Sequence, residues 1–171
     1  MILWHMGLAV LITYMTLGRR RIDYRFILLG AVLPDVVDGL LGLFFFEGSS
    51  ARWVDHSLTA VIVIAVIIIL FTKGERRLSL FGIAVGWLLH LVGDAMWQAP
   101  FTFFWPAFGF RFNNSPAEPY SWELVTHPLD HVWTWSGELV GLAILAWFWV
   151  AFRLGEENRF RLFLKDGYLR P

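Results

Sequence analysis

Asp35 and Asp38 stand three residues apart and His90 and Asp94 four, so on a helix each pair shares one face. His131 and Glu138, seven apart, share a face in the same way. His5 and His56 complete the group, in stretches that are otherwise apolar. Imidazole and carboxylate without sulfur form a ligand set suited to Zn²⁺, Mn²⁺ or Fe²⁺. The chain has no Cys, which removes thiolate metal sites and a disulfide framework from consideration.

Those side chains must be held by apolar helices. Of the 171 residues 57% are hydrophobic and only 16% charged, against roughly 25% charged in a typical soluble domain. Phe, Trp and Tyr make up 18% of the chain, and the mean hydropathy is +0.59. Acidic and basic residues balance at 14 each. Such a chain is neither disordered nor a basic nucleic-acid binder, and no nucleic-acid partner is expected. The composition predicts an all-α polytopic membrane protein, one transmembrane helical domain over residues 1–171.

A spanning helix needs about 20 mostly apolar residues to cross ~30 Å of hydrocarbon. Five segments are expected to do so, at 2–17, 26–46, 53–72, 79–99 and 132–152, none with Lys or Arg in its interior. The first lacks the basic leader and the cleavage site of a signal peptide, and Arg19, Arg20 and Arg21 follow it, so it is expected to be retained. Twelve of the fourteen Lys and Arg residues fall after the first, third and fifth spans, leaving Arg52 and Arg111 on the other side. Because basic residues stay cytoplasmic, the N-terminus is expected outside and the C-terminus inside. This places the protein in the cell or inner membrane. Residues 100–131 read as an external aromatic loop, including Tyr120 and Trp122, that serves as an interfacial anchor or a substrate-gripping rim. The tail 153–171 reads as a cytoplasmic surface segment. Gly82/Gly86 and Gly137/Gly141 have the small-residue spacing that lets helices approach closely.

Depth sharpens the chemistry. At 1.5 Å per residue, Asp35 and Asp38 lie roughly 13–18 Å above the inner end of their span, and His90 and Asp94 roughly 16–23 Å. All five His, including His127 and His131, and all four intramembrane acids thus fall in the outer half. Each mid-membrane carboxylate costs about 2.5–3.5 kcal/mol on insertion scales. With no Lys or Arg in the spans, the compensation is protonation, mutual hydrogen bonding, water or a bound cation. A cation neutralises the carboxylates directly. Asp38 could instead bond a neighbouring helix, and Glu138 could be protonated.

Four stretches carry a resemblance. They are Gly-Ala-Val-Leu-Pro-Asp-Val-Val-Asp at 30–38, Arg-Trp-Val-Asp-His-Ser at 52–57, Gly-Trp-Leu-Leu-His-Leu-Val-Gly-Asp-Ala-Met-Trp at 86–97, and Phe-Trp-Pro-Ala-Phe-Gly at 104–109. With His5, this ordered set resembles the membrane-bound metal-dependent hydrolases of bacteria and archaea, the SOS-associated inner-membrane type among them. That family is distantly similar to the zinc-dependent phospholipase C and P1-type nuclease group. The resemblance implies His5, Asp35 or Asp38, His56, His90 and Asp94 as metal ligands, with Asp94 able to bridge two metals. It also shows departures: many relatives have His and Thr where this chain has Ala51 and Asp55. The soluble enzymes complete a third site with a His-x3-Glu pair, for which His131 and Glu138 are imperfect substitutes in a second shell. One or two metals per chain, most readily Zn with Mn or Fe as alternatives, are therefore expected.

The expected function is metal-dependent hydrolysis of a phosphoester, lipid-like, at the outer leaflet. One of Asp35 and Asp38 would hold metal and the other would take a proton from water whose pKa the metal lowers to about 7. Arg52 would pair with the substrate phosphate or serve as a headgroup anchor. The partners expected are membrane lipid and a lipid or small phosphoester substrate, with the oligomeric state open. Two rivals stand beside this: a metal-ion or proton transporter built on intramembrane carboxylates, and a non-catalytic membrane protein with a structural metal.

Overall fold

Helix after helix is what the apolar runs deliver. A computed structural model of the chain describes residues 1–18, 22–45, 52–112 and 131–170. Among these are seven α-helices and no strand: α1 (Ile2–Leu17), α2 (Tyr24–Phe45), α3 (Leu58–Phe71), α4 (Gly74–Gly93), α5 (Pro100–Phe103), α6 (Val132–Ala151) and α7 (Glu157–Asp166). Short 3-10 turns cover Val54–His56 and Met96–Gln98. The expected loop aromatics Tyr120 and Trp122, together with His127, the basic run 19–21 and Phe46, lie outside the described residues.

The five long helices fall in the order expected, with shifted ends. The third starts at Leu58 and not at 53, because Ser57 caps it: its Oγ accepts the Ala60 N–H at 3.2 Å. The fourth runs from Gly74 to Gly93 and not over 79–99. Its polar first turn is compatible with helix because Arg77 reaches back to the last carbonyls of α3, with Nε 2.8 Å from Thr72 O and Nη2 2.8 Å from Ile69 O. It stops where Ala95 takes a left-handed φ of 50°. Only α6, among the described residues, is long and apolar enough by itself to cross a membrane. The 16 residues of α1 and 14 of α3 are shorter. In α2, Arg25, Asp35 and Asp38 interrupt the apolar pattern, as do Glu75, Arg76 and Arg77 in α4.

Packing is set by glycine. A Cβ on Gly86 would lie 2.1 Å from the Ile27 carbonyl oxygen, and one on Gly30 2.1 Å from the Ile83 carbonyl oxygen. The α2 and α4 backbones therefore touch directly. The same holds for α1 and α6, where a Gly141 Cβ would meet the Leu3 carbonyl oxygen at 2.2 Å. Helix α1 sits between α2 and α6, and α3 leans on α4. At one end of the bundle the start of α1, the turn at Val54–His56 and the end of α4 converge. The opposite end is closed by the tail: the Tyr24 N–H donates to Gly167 O at 3.0 Å, and Leu154 and Leu169 join Val10, Tyr24, Phe148 and Phe152 in a buried cluster.

Gly86→Val is expected to force α2 and α4 apart and cost about 1–3 kcal/mol. A thermal melt in detergent checks this beside Leu70→Ala, whose side chain is 70% exposed and whose melting temperature should match the parent.

Candidate metal centre

His90 is anchored by backbone. Pro34, inside α2, cannot donate to the Gly30 carbonyl. One residue on, the Ala31 carbonyl lies 2.8 Å from Nδ1 of His90, across the glycine contact. A neutral imidazole has one N–H, and the carbonyl can only accept, so the proton sits on Nδ1 and Nε2 presents a lone pair. His56, carried by the 3-10 turn, has Nδ1 3.0 Å from Asp38 Oδ2. If that nitrogen carries the proton, its Nε2 turns a lone pair toward His90.

These two Nε2 atoms are 3.1 Å apart, and both rings are buried. Carboxylates converge on the same point. Asp35 Oδ1 is 3.5 Å from His90 Nε2 and 3.9 Å from His56 Nε2. Asp94 Oδ2 is 3.5 Å from His56 Nε2 and 3.7 Å from His90 Nε2. Ligand atoms held tetrahedrally at 2.0–2.1 Å from Zn²⁺ are separated by about 3.4 Å. The five separations bracket that value, and Asp35, His56 and His90 form one group that could hold a metal ion. Without a cation the same 3.1 Å gap would be closed by a hydrogen bond from His56 Nε2–H to the His90 Nε2 lone pair.

Asp94 has a second engagement. Its Oδ1 is 3.2 Å from His5 Nε2, and the His5 ring lies over that of His90 with centroids 3.9 Å apart. Gly93 makes room for it, since a Cβ there would stand 2.8 Å from His5 Nδ1. His5, His90 and Asp94 thus form a second ligand group, which shares His90 with the group of Asp35, His56 and His90. Arg52 enters from the extended segment before the turn, its Nη2 3.2 Å from Asp94 Oδ2 and its side chain 26% exposed.

The structure therefore gathers His5, Asp35, Asp38, His56, His90, Asp94 and Arg52 around two imidazoles. Asp35 and Asp38 stand on opposite sides of the His56 ring, one facing Nε2 and the other Nδ1. Glu138 is placed elsewhere. Its Oε2 accepts the Leu3 N–H at 2.8 Å, one of the first-turn donors of α1 that no helix carbonyl can satisfy. His131 stands at the N-terminal boundary of α6, outside the ligand groups. Asp55 is the addition that spacing did not single out. It is buried beside His56, and its carbonyl accepts the Trp87 indole N–H at 2.7 Å, which pins the turn to α4. The signal available was its adjacency to His56, read only as a departure from a family pattern.

Purified parent protein is expected to hold a transition-metal ion that His90→Ala and Asp35→Asn lose. Glu138→Gln should keep the metal and lower stability by roughly 0.5–2 kcal/mol, the range of a lost helix cap. Elemental analysis paired with a melting curve checks both.

Comparison with known proteins agrees with the apolar composition and the helical fold. No curated protein and no solved structure matches the chain. A family model does, over residues 2–160, which takes in all five long helices and every residue of the centre. The chain belongs to the family described as YdjM inner membrane protein.

Proposed function

We propose that the chain is a membrane-embedded metal-dependent hydrolase that cleaves a lipid-like phosphoester at the extracytoplasmic leaflet. One observation carries this: two buried imidazole Nε2 atoms, 3.1 Å apart, converge with Asp35 and Asp94 on one point. A divalent cation there, Zn²⁺ with Mn²⁺ or Fe²⁺ as alternatives, would lower the pKa of a water it binds to about 7 and polarise a phosphoryl oxygen.

The chain's own residues divide the remaining work. His56, His90, Asp35 and Asp94 hold the cation, and His5 steadies the second oxygen of Asp94, with room for one or two ions per chain. Asp38 fixes the orientation of His56 through Nδ1, as outer partners of metal-bound imidazoles do. Asp35 Oδ2 has no hydrogen-bond partner, with the Met1 amine 3.8 Å away, and would accept the proton of the attacking water. Arg52, partly exposed, can pass its guanidinium from Asp94 to a phosphoryl group in a two-pronged contact.

A lipid-like substrate follows from the surroundings. Trp97, Phe101, Phe104 and Phe108 expose their rings near the end of the bundle that carries the centre, where aromatic side chains suit a headgroup layer. Helices α1 to α4 and α6 would cross together as five spans, with Asp35 and Asp38 of α2 and Asp94 at the end of α4 turned inward. Arg25, Lys73, Arg76, Arg77 and the basic residues from Arg153 to Arg170 lie toward the other end, with Arg52 at the centre, a distribution that favours an outside N-terminus and an inside C-terminus. A transport path would need polar groups continuing toward that end. There the buried cluster is Val10, Tyr24, Phe148, Phe152, Leu154 and Leu169.

Proteoliposomes of the parent are expected to release phosphate or headgroup from phospholipids or generic phosphodiesters. His90→Ala and Asp94→Ala should fall by on the order of 100-fold or more. Arg52→Lys should raise KM about tenfold, or ~1.4 kcal/mol, with a smaller change in kcat. Equal rates in the parent, His90→Ala and Asp94→Ala would sink the proposal.

A further inference from the structure

The Nδ1 side of His56 holds a second concentration of unmatched charge. Asp55 is only 7% exposed, and neither of its carboxylate oxygens has a hydrogen-bond partner. Asp38 Oδ1 is buried without a partner as well. Ligand atoms of Asp38, Asp55 and His56 lie within 4.8 Å of one another. Among the described residues, the ion-pair contacts of both carboxylates are to His56 alone, at 3.0 Å for Asp38 Oδ2 and 3.8 Å for Asp55 Oδ2. One imidazole already shared with the Nε2 centre cannot balance two buried carboxylates.

We propose that Asp38 and Asp55 form a second divalent-cation site, separated from the Nε2 centre by the His56 ring. Asp38 Oδ2 faces His56 Nδ1 at 3.0 Å, which leaves Asp38 Oδ1 and both oxygens of Asp55 for the cation. Those are the three carboxylate oxygens that lack a partner on this side of the ring. An oxygen-donor set with water completing the shell selects a hard ion, Mg²⁺ or Mn²⁺, over the nitrogen-favouring ions of the first centre. The site is buried at its three oxygens and partly open only through the Asp38 side chain, which is 17% exposed. It is also held rigidly: the Trp87 indole fixes the Asp55 carbonyl, and Ser57 caps α3 just beyond. The inference does not rest on hydrolysis, since the two sites share no carboxylate oxygen.

The test is a Mn²⁺ titration of full-length, Zn²⁺-loaded protein in detergent, read by electron paramagnetic resonance with Zn content measured on the same samples. The parent is expected to retain its Zn and bind one further equivalent of Mn²⁺. Asp55→Asn should keep Zn and bind Mn²⁺ at least tenfold more weakly, while Asp35→Asn should lose Zn and keep the Mn²⁺. Uptake by Asp55→Asn equal to the parent overturns the proposal, as does a parent that binds no Mn²⁺ beyond its Zn. In the latter case the carboxylates share a proton. If Asp55→Asn elutes as aggregate, Asp38→Asn and the parent stoichiometry decide the matter alone. A Zn²⁺-loaded parent that hydrolyses no lipid yet takes up the Mn²⁺ equivalent would count against the proposed activity and leave this site standing.

Discussion

The contact of α2 with α4, backbone against backbone at Gly30, Gly82 and Gly86, is the constraint on which the rest of this structure depends. It brings the Ala31 carbonyl within hydrogen-bond reach of His90, and that one bond decides which ring nitrogen carries the proton. Once the His90 lone pair points inward, His56 is drawn to the same place from a turn that Trp87 ties to α4. Side chains larger than hydrogen on that seam would separate the two helices and dismantle the donor set without altering a single ligand. In this architecture the packing residues and the ligands are parts of one device.

Electrostatics follows the same logic. A buried carboxylate away from water is tolerable only with a partner. Asp94 divides its two oxygens between His5 on one side and His56, His90 and Arg52 on the other, so it is the most heavily engaged acid of the centre. Asp35 and Asp38 are satisfied only in part. The asymmetry sorts the acids into those that bind tightly and those with an oxygen left to do chemistry.

Much of this was legible in the residues themselves. Four-residue spacing put His90 and Asp94 on one face, and the five long helices occupy the stretches that apolar content marked out. Spacing reports the face of a helix and not what that face meets. Asp35 and Asp38 share a face on α2, yet they straddle an imidazole supplied from another part of the chain. Glu138 looked like a centre residue because its depth was right, but depth fixes only one coordinate, and in azimuth it faces the start of α1. Helix ends shifted for local reasons: a serine cap at Ser57, an arginine clamp at Arg77 and a left-handed Ala95 are tertiary or backbone events that hydropathy does not record.

If α3 crosses the bilayer with the other long helices, as proposed, its shortness has a consequence for the lipid itself. Fourteen residues rise about 21 Å, some 9 Å less than the hydrocarbon thickness of a typical bilayer. Along its outer surface Ile62, Val63, Val66, Ile67 and Leu70 are exposed, so the helix offers lipid an apolar flank that is too short for it. A bilayer answers such a mismatch by thinning. Because α3 begins immediately after the turn that carries Asp55 and His56, such a thinned patch would border the centre. There the membrane would sag toward the protein and lower its headgroups to the depth of the buried imidazoles, so that a lipid could meet them without leaving its leaflet.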